Sequence, residues 1–334
     1  MPATIIDIKN RTGLSLATIS KYLNGGNVLP ENKIKIEMAI KELHYEVNEI
    51  ARGLVTNKTR TIGVSVYSIE SIFNGTLLKY MGDTLRKAGY GLLICDSNQD
   101  EETERKNIKF LLNKKVDGLI VIPVEAGNGI IELVKNADIP LVFLDRAAEN
   151  GGCDCVRIDN RMAALHATNV LIKNGHRDIA IISSGKEYTG IERCKGFTEA
   201  LLDAGIEIVE ERYFKGIHSI EYGYESMKKI ISMQNRPTAV FMTNYEITLG
   251  AVMAVNESSI SCPEDISMLG FDDLILSHVT NPAMYMVVQP MKEMGEKCVE
   301  LLLNKIEKKN TDMVPVELVL STKLQEGNSI KDIN

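Results

Sequence analysis

From Thr61 onward, short apolar runs alternate with segments of helical period, and this limits the fold more than any other feature of the 334 residues. TIGVSV (61–66), LLICD (92–96), GLIVIP (118–123) and LVFLD (141–145) read as strands. Helices are expected between them at Leu77–Ala88, Glu101–Asn113 and Ile130–Asn136. Strands apolar on both faces, each followed by a helix, imply a parallel sheet covered on both sides. The rhythm then restarts with strands at CVRID (155–159), IAIIS (179–183), AVFMT (239–243) and ISMLGFD (266–272). Its helices are expected at Arg161–Lys173, up to Ala204, from the Ser219 cap to Ser232, at Ile247–Asn256 and at Lys292–Lys308, with VELVL (316–320) ending the sheet. KAGYGLLIC in one half and DAGIEIVEE in the other mark a weak repeat. Two doubly wound lobes of this kind place a ligand cleft between them, at the carboxyl ends of their strands.

The stretch before Thr61 has a different texture. Thr4–Asn24 reads as two short helices. Thr4 is placed to cap the first, with Asp7 at capping-box spacing. Gly13 supplies a sharp turn and Ser15 caps the second helix. Ile5, Ile8, Ile19, Leu23 and either Leu16 or Ala17 are expected to face a small core. A third helix, Glu31–Leu43, would add Ile34, Met38 or Ile36, and Ile40 with Leu43. Two helices around a Gly-containing turn form a helix-turn-helix, which presents its second helix to the DNA major groove. Any short helical hairpin shares the pattern, so charge matters. Residues 1–60 hold nine Lys/Arg against six Asp/Glu, a surplus of +3, which leaves −10 for the remainder of a chain whose total is −7. A basic head on an acidic body fits phosphate binding confined to the head.

Other classes find little support. The chain has no apolar run of about 18 residues to span a membrane, and MPATIIDIKN lacks the apolar segment of a signal peptide. Six scattered cysteines are expected to be free thiols in a reducing cytoplasm. G-x-S-x-G and H-E-x-x-H motifs do not occur, and Gly185-Lys186 is followed by Glu187 where a P-loop needs Ser or Thr. No catalytic residue, metal or cofactor is therefore expected.

The head motif T-I-I-D-I-x5-L-S-x-A-T-I-S-K-Y-L-N-G, the segment N-E-I-A-R-G-L and the lobe entry R-T-I-G-V occur in that order. V-D-G-L-I (116–120), N-G-H-R-D-I-A-I-I (174–182), R-P-T-A-V-F (236–241), C-P-E-D-I-S-M-L-G-F-D-D (262–273) and Q-P-M-K-E-M-G (289–295) follow. Together they resemble the lac/gal repressor family of bacterial transcription regulators over essentially the whole chain. The resemblance implies an α/β protein with a helix-turn-helix head (1–46), a hinge helix and linker (47–60), and two doubly wound, periplasmic-binding-protein-type lobes. These would be 61–160 with 291–320 and 161–290 with 321–334. It also implies a homodimer, a pseudo-palindromic DNA operator, and a small-molecule effector, most simply a carbohydrate, with a purine as the alternative.

Site residues follow by position. Leu16, Ala17 and Lys21 match base-reading positions, with lysine where the family most often has arginine. Thr4, Ser15, Thr18, Ser20 and Asn24 match phosphate contacts. Asn48 opens the hinge, and Leu54 matches a leucine that wedges between base steps in the minor groove. Phe73, Asn74, Asp145, Arg146, Arg193, His218, Asn244, Asp272 and Gln289 match effector-cleft positions, with Asp96 and Tyr188 as weaker candidates. Phe73 is equally consistent with core, and Arg193 with Asp272 could instead form an inter-lobe ion pair.

Overall fold

The computed structural model describes residues 3–46, 52–53, 58–125, 128–147, 151–185, 187–272, 275–308 and 314–334. The chain divides into two compact units, Met1–Thr61 and Ile62–Asn334.

The first unit contains α1 (Ile5–Thr12), α2 (Leu16–Leu23) and α3 (Pro30–Leu43). The Asp7 carboxylate accepts from the Thr4 backbone N–H at 2.8 Å and from its hydroxyl at 2.7 Å. Gly13 ends α1 at φ 68°, a conformation that favours glycine. The Ser15 hydroxyl accepts from the Thr18 N–H and so caps α2. Ile8, Ile19, Ile36 and Ala39 form the core, with Leu23, Ile40 and Leu43 packed against it. Ile34, expected inside, is 58% exposed, and of the alternatives Met38 and Ile36 it is Ile36 that is buried while Met38 is 66% exposed. The third helix is apolar along two stripes. The one that wins carries Ala39, whose small side chain lets α3 approach its neighbours closely. Within 47–60, the segment expected to be a hinge, Arg52 and Gly53 are helical. Asn48 and Leu54 lie outside the described residues.

The second unit holds two six-stranded sheets. The first has the order β11-β5-β4-β3-β1-β2. Its strands are β1 (Thr61–Val66), β2 (Gly91–Asp96), β3 (Gly118–Val121), β4 (Leu141–Leu144), β5 (Asp154–Ile158) and β11 (Glu317–Leu320). The second has the order β12-β10-β9-β8-β6-β7. It comprises β6 (Ile179–Ser184), β7 (Tyr213–Gly216), β8 (Ala239–Met242), β9 (Ser267–Phe271), β10 (Tyr285–Val288) and β12 (Lys323–Gln325). The orders superimpose strand for strand, which is the physical content of the weak repeat. The chain crosses to the second lobe after β5 and back before β11, then returns as β12, which pairs antiparallel with β10.

The helices of the first lobe are α4 (Ile72–Lys87), α5 (Glu101–Asn113), α6 (Asn128–Lys135) and the returning α12 (Met291–Lys308). Those of the second are α7 (Asn160–Lys173), α8 (Tyr188–Asp203), α9 (Ile220–Ile231), α10 (Tyr245–Asn256) and the short α11 (Leu276–Val279). Met291, Met294, Cys298, Val299, Leu302 and Ile306 form the buried stripe of α12 at i, i+3, i+7, i+8 and onward spacing, as a helix on a sheet requires. The first-lobe helix expected from Leu77 begins at Ile72, with Ser71 at its N-cap position.

Candidate functional site

Topologically matched strands β4 and β9 end in Asp145 and Asp272, at φ 70° and 65°. Each backbone N–H donates across to the next strand, Asp145 to Val156 O at 2.8 Å and Asp272 to Val287 O at 2.9 Å. Both carboxylates are buried. Burial pushes Asp145 up to about 6 against the opposing pull of Arg146 and Arg193, and raises Asp272 for the same reason.

Two arginines serve these corners. Arg193, on α8, donates to Asn160 Oδ1 at 2.8 Å and to the Thr243 carbonyl. It lies 3.7 Å from Asp272 and its guanidinium covers the Phe271 ring. Gln289 donates to the Asp272 carboxylate at 2.6 Å. Arg146, 2% exposed, donates to the carbonyls of Pro123 and Val124 and to Glu187 at 2.8 Å, and stacks over Tyr67.

His218 stands between Glu246, at 2.7 Å, and Glu187, at a longer 3.5 Å. Burial alone would lower the imidazole, but the two carboxylates outweigh it and hold it at about 9. Burial would likewise raise Glu187, yet His218 beside it and the charges of Arg146 and Arg193 bring it down to about 2. The same histidine lowers Glu246 against its burial.

Asp145, Arg146, Arg193, His218, Asp272 and Gln289 are thus brought into one network, and several buried polar atoms beside it point to a ligand. Asp145 Oδ1, Arg146 Nε, Asn160 Nδ2, Thr243 Oγ1 and Gln289 Oε1 have no hydrogen-bond partner among the described residues. Other candidates behave differently. Phe73 is packed into the apolar core with Leu77 and Met81, so it offers no free face for stacking. Asn74 donates to the Ser68 carbonyl. Asp96 is exposed and accepts from the Ile69 and Asn98 amides, which ties up a loop. Asn244 caps α10 through the Ile247 N–H. Tyr188 lies toward Arg157 and Glu317, whose charges act on its hydroxyl.

Sequence reasoning missed Glu187, Glu246, Asn160, Thr243, Tyr67 and Ser71. One signal was available: all of them follow a strand at its carboxyl end, most at the start of the next helix, where this fold places cleft groups. In the head, Leu16 is 41% exposed and Ala17 and Lys21 are also exposed, so the first turns of α2 present all three outward. Thr4, Ser15 and Asn24 are exposed; Thr18 and Ser20 are half-buried.

A family model described as periplasmic binding proteins and sugar binding domain of LacI family matches residues 59–322. The chain is 34% identical to the HTH-type transcriptional repressor PurR of Serratia proteamaculans, over 99% of this chain and 97% of that one. It is 30% identical to Catabolite control protein A of Priestia megaterium, covering 95% and 96%. Among solved structures, it is similar to the transcriptional regulator CelR–cellobiose complex, with a TM-score of 0.74, 26% identity and coverage of 98% and 99%. The lac repressor dimer bound to operator and the anti-inducer ONPF matches with a TM-score of 0.89 over 99% and 100%; at 22% identity it bears on the fold alone.

Proposed function

Because the chain belongs to the LacI family of transcription regulators, we propose that it is a ligand-responsive, sequence-specific DNA-binding repressor whose effector binds between the two lobes. It acts in the cytoplasm as a homodimer on a pseudo-palindromic operator and performs no catalysis. Leu16, Ala17 and Lys21 read base edges, while Thr4, Ser15, Thr18, Ser20 and Asn24 fix the register on phosphates. Leu16 and Ala17 offer only apolar contact, suited to thymine methyls, and Lys21 donates without the rigid fork of an arginine. Effector binding shifts the lobes and so changes whether the hinge, with Asn48 and Leu54, can fold on the minor groove.

The effector is a sugar or sugar derivative. The observation that carries this reading is the set of orphaned buried atoms around Asp145 and Asp272, which includes both donors and acceptors. Such a lining matches vicinal hydroxyls and rejects analogues that leave it unpaired. A purine would need an open aromatic face, and the Tyr67 and Phe271 rings each carry a guanidinium on one side.

Thermal-shift screening against neutral sugars and purine bases tests the ligand class: a purine shift with no sugar shift would overturn it. Gel shifts with promoter DNA, with and without the stabilising ligand, test the response. In the same titration Lys21→Ala should weaken specific binding by about 1–3 kcal/mol and relax preference at one base per half-site. Unchanged affinity would remove Lys21 from the reading set.

A further inference from the structure

The contacts across the cleft are made by the chain's own charged side chains. Arg146, from the first lobe, donates to Glu187 of the second at 2.8 Å. Ser71, also from the first lobe, donates to Glu246 of the second at 3.1 Å. His218 stands between the two glutamates and joins the bridges into one network. Tyr67 of the first lobe completes it, with its ring 4.4 Å from the Arg146 guanidinium and 6.0 Å from the His218 ring. Glu187, His218 and Glu246 expose 16%, 11% and 12% of their side chains, so the pairs are poorly screened by water.

We infer that the Arg146–Glu187 and Ser71–Glu246 bridges, tied together by His218, form an inter-lobe latch that closes the core from within, so that an effector acts by breaking into these bridges. The inference rests on the reading of this cleft as the effector site. Because neither partner is fully solvated, each glutamate deprived of its partner would be left as a buried, unpaired charge. His218 is the coupling element. As an imidazolium it donates to one carboxylate and attracts the other, so the two bridges support each other. Asp145 and Asp272 at the strand ends and Arg193 on α8 act on the latch by their charges, and Glu104, whose carboxylate accepts the Val124 N–H, acts on Arg146 from α5. The charge states needed are those present at neutral pH, with Glu187 held near 2 and His218 near 9.

Hydrogen exchange on the full-length protein, without effector or DNA, tests the latch. Glu187→Gln and Glu246→Gln keep size and shape while removing charge. Exchange in the segments lining the cleft, 67–71, 145–147 and 217–219, should rise roughly tenfold in the double variant. The two single effects should be non-additive, because His218 joins them. Exchange in the central strands 118–121 and 239–242 should stay unchanged. A rise shared equally by those strands, no rise in the cleft segments, or simple additivity overturns the latch. The readout involves neither ligand nor operator, so its failure is distinct from a failure of the repressor reading.

Discussion

Asp145 and Asp272 hold a backbone conformation that costs most L-residues about 1–2 kcal/mol, though aspartate tolerates it better than most. The strain recurs at the same corner of both sheets, where the chain must turn abruptly while its N–H still completes the ladder to β5 or β10. The turn aims a carboxylate at the cleft in each lobe. Asp272 additionally receives Gln289 and lies beside Arg193, so it orders the groups that would grip a hydroxyl. Asp272→Asn preserves the tolerance for this φ and removes the charge. We expect the fold and DNA affinity to survive and the effector to bind about tenfold to a hundredfold more weakly, the range for a lost charged hydrogen bond. Calorimetric titration with the sugar that raises the melting temperature checks this, and an unchanged Kd would place Asp272 outside the contact set.

At the scale of elements, the second lobe depends on close helix contact. A Cβ on Gly250 of α10 would lie 2.0 Å from the Ile220 carbonyl oxygen, and one on Gly223 of α9 would lie 2.3 Å from the Ile247 carbonyl oxygen. Both obstacles are backbone, so neither can yield by changing rotamer. Gly250→Ala should therefore destabilise the core by about 1–3 kcal/mol, read as a lower urea midpoint; a midpoint equal to wild type would mean the helices separate freely. Periodicity exposed the central elements: TIGVSV and Glu101–Asn113 were read with their observed bounds because burial on the sheet writes the pattern strongly. Tyr213–Gly216 and Lys323–Gln325 escaped because edge strands bury little and alternate weakly. Tyr285–Val288 also escaped, although it is as long as β3, β4 and β8. Arg193 and Asp272 were named by their positions in the family pattern, and the structure places them 3.7 Å apart. Glu187 and Glu246 were not named, since a surface glutamate and a latched one look alike until the fold brings His218 between them.

At the scale of the whole molecule, these particulars make the core's stability depend on pH in a definable window. His218 has a folded value near 9, above its ordinary value near 6.5. The stabilisation from its proton is therefore fully present below about pH 6.5 and is lost as pH rises through about 9. Glu187 behaves oppositely: with a folded value near 2, its contribution is present above the ordinary value of about 4.5 and is lost as pH falls from there through about 2. Asp145, raised to about 6, favours the folded state more when protonated, so its charge works against the fold as pH rises from 4 to 6. A comparison with His218→Gln reports the histidine together with Glu187 and Glu246, whose carboxyls it holds down. The melting-temperature gap between wild type and His218→Gln should be widest below about pH 6.5 and narrow progressively through pH 9. Differential scanning across pH 6–10 provides the measurement. A gap that stays constant over that range would mean the imidazole acts by shape alone, and the two lobes would then be held together by Arg146 and Ser71 without a protonated bridge between their acceptors.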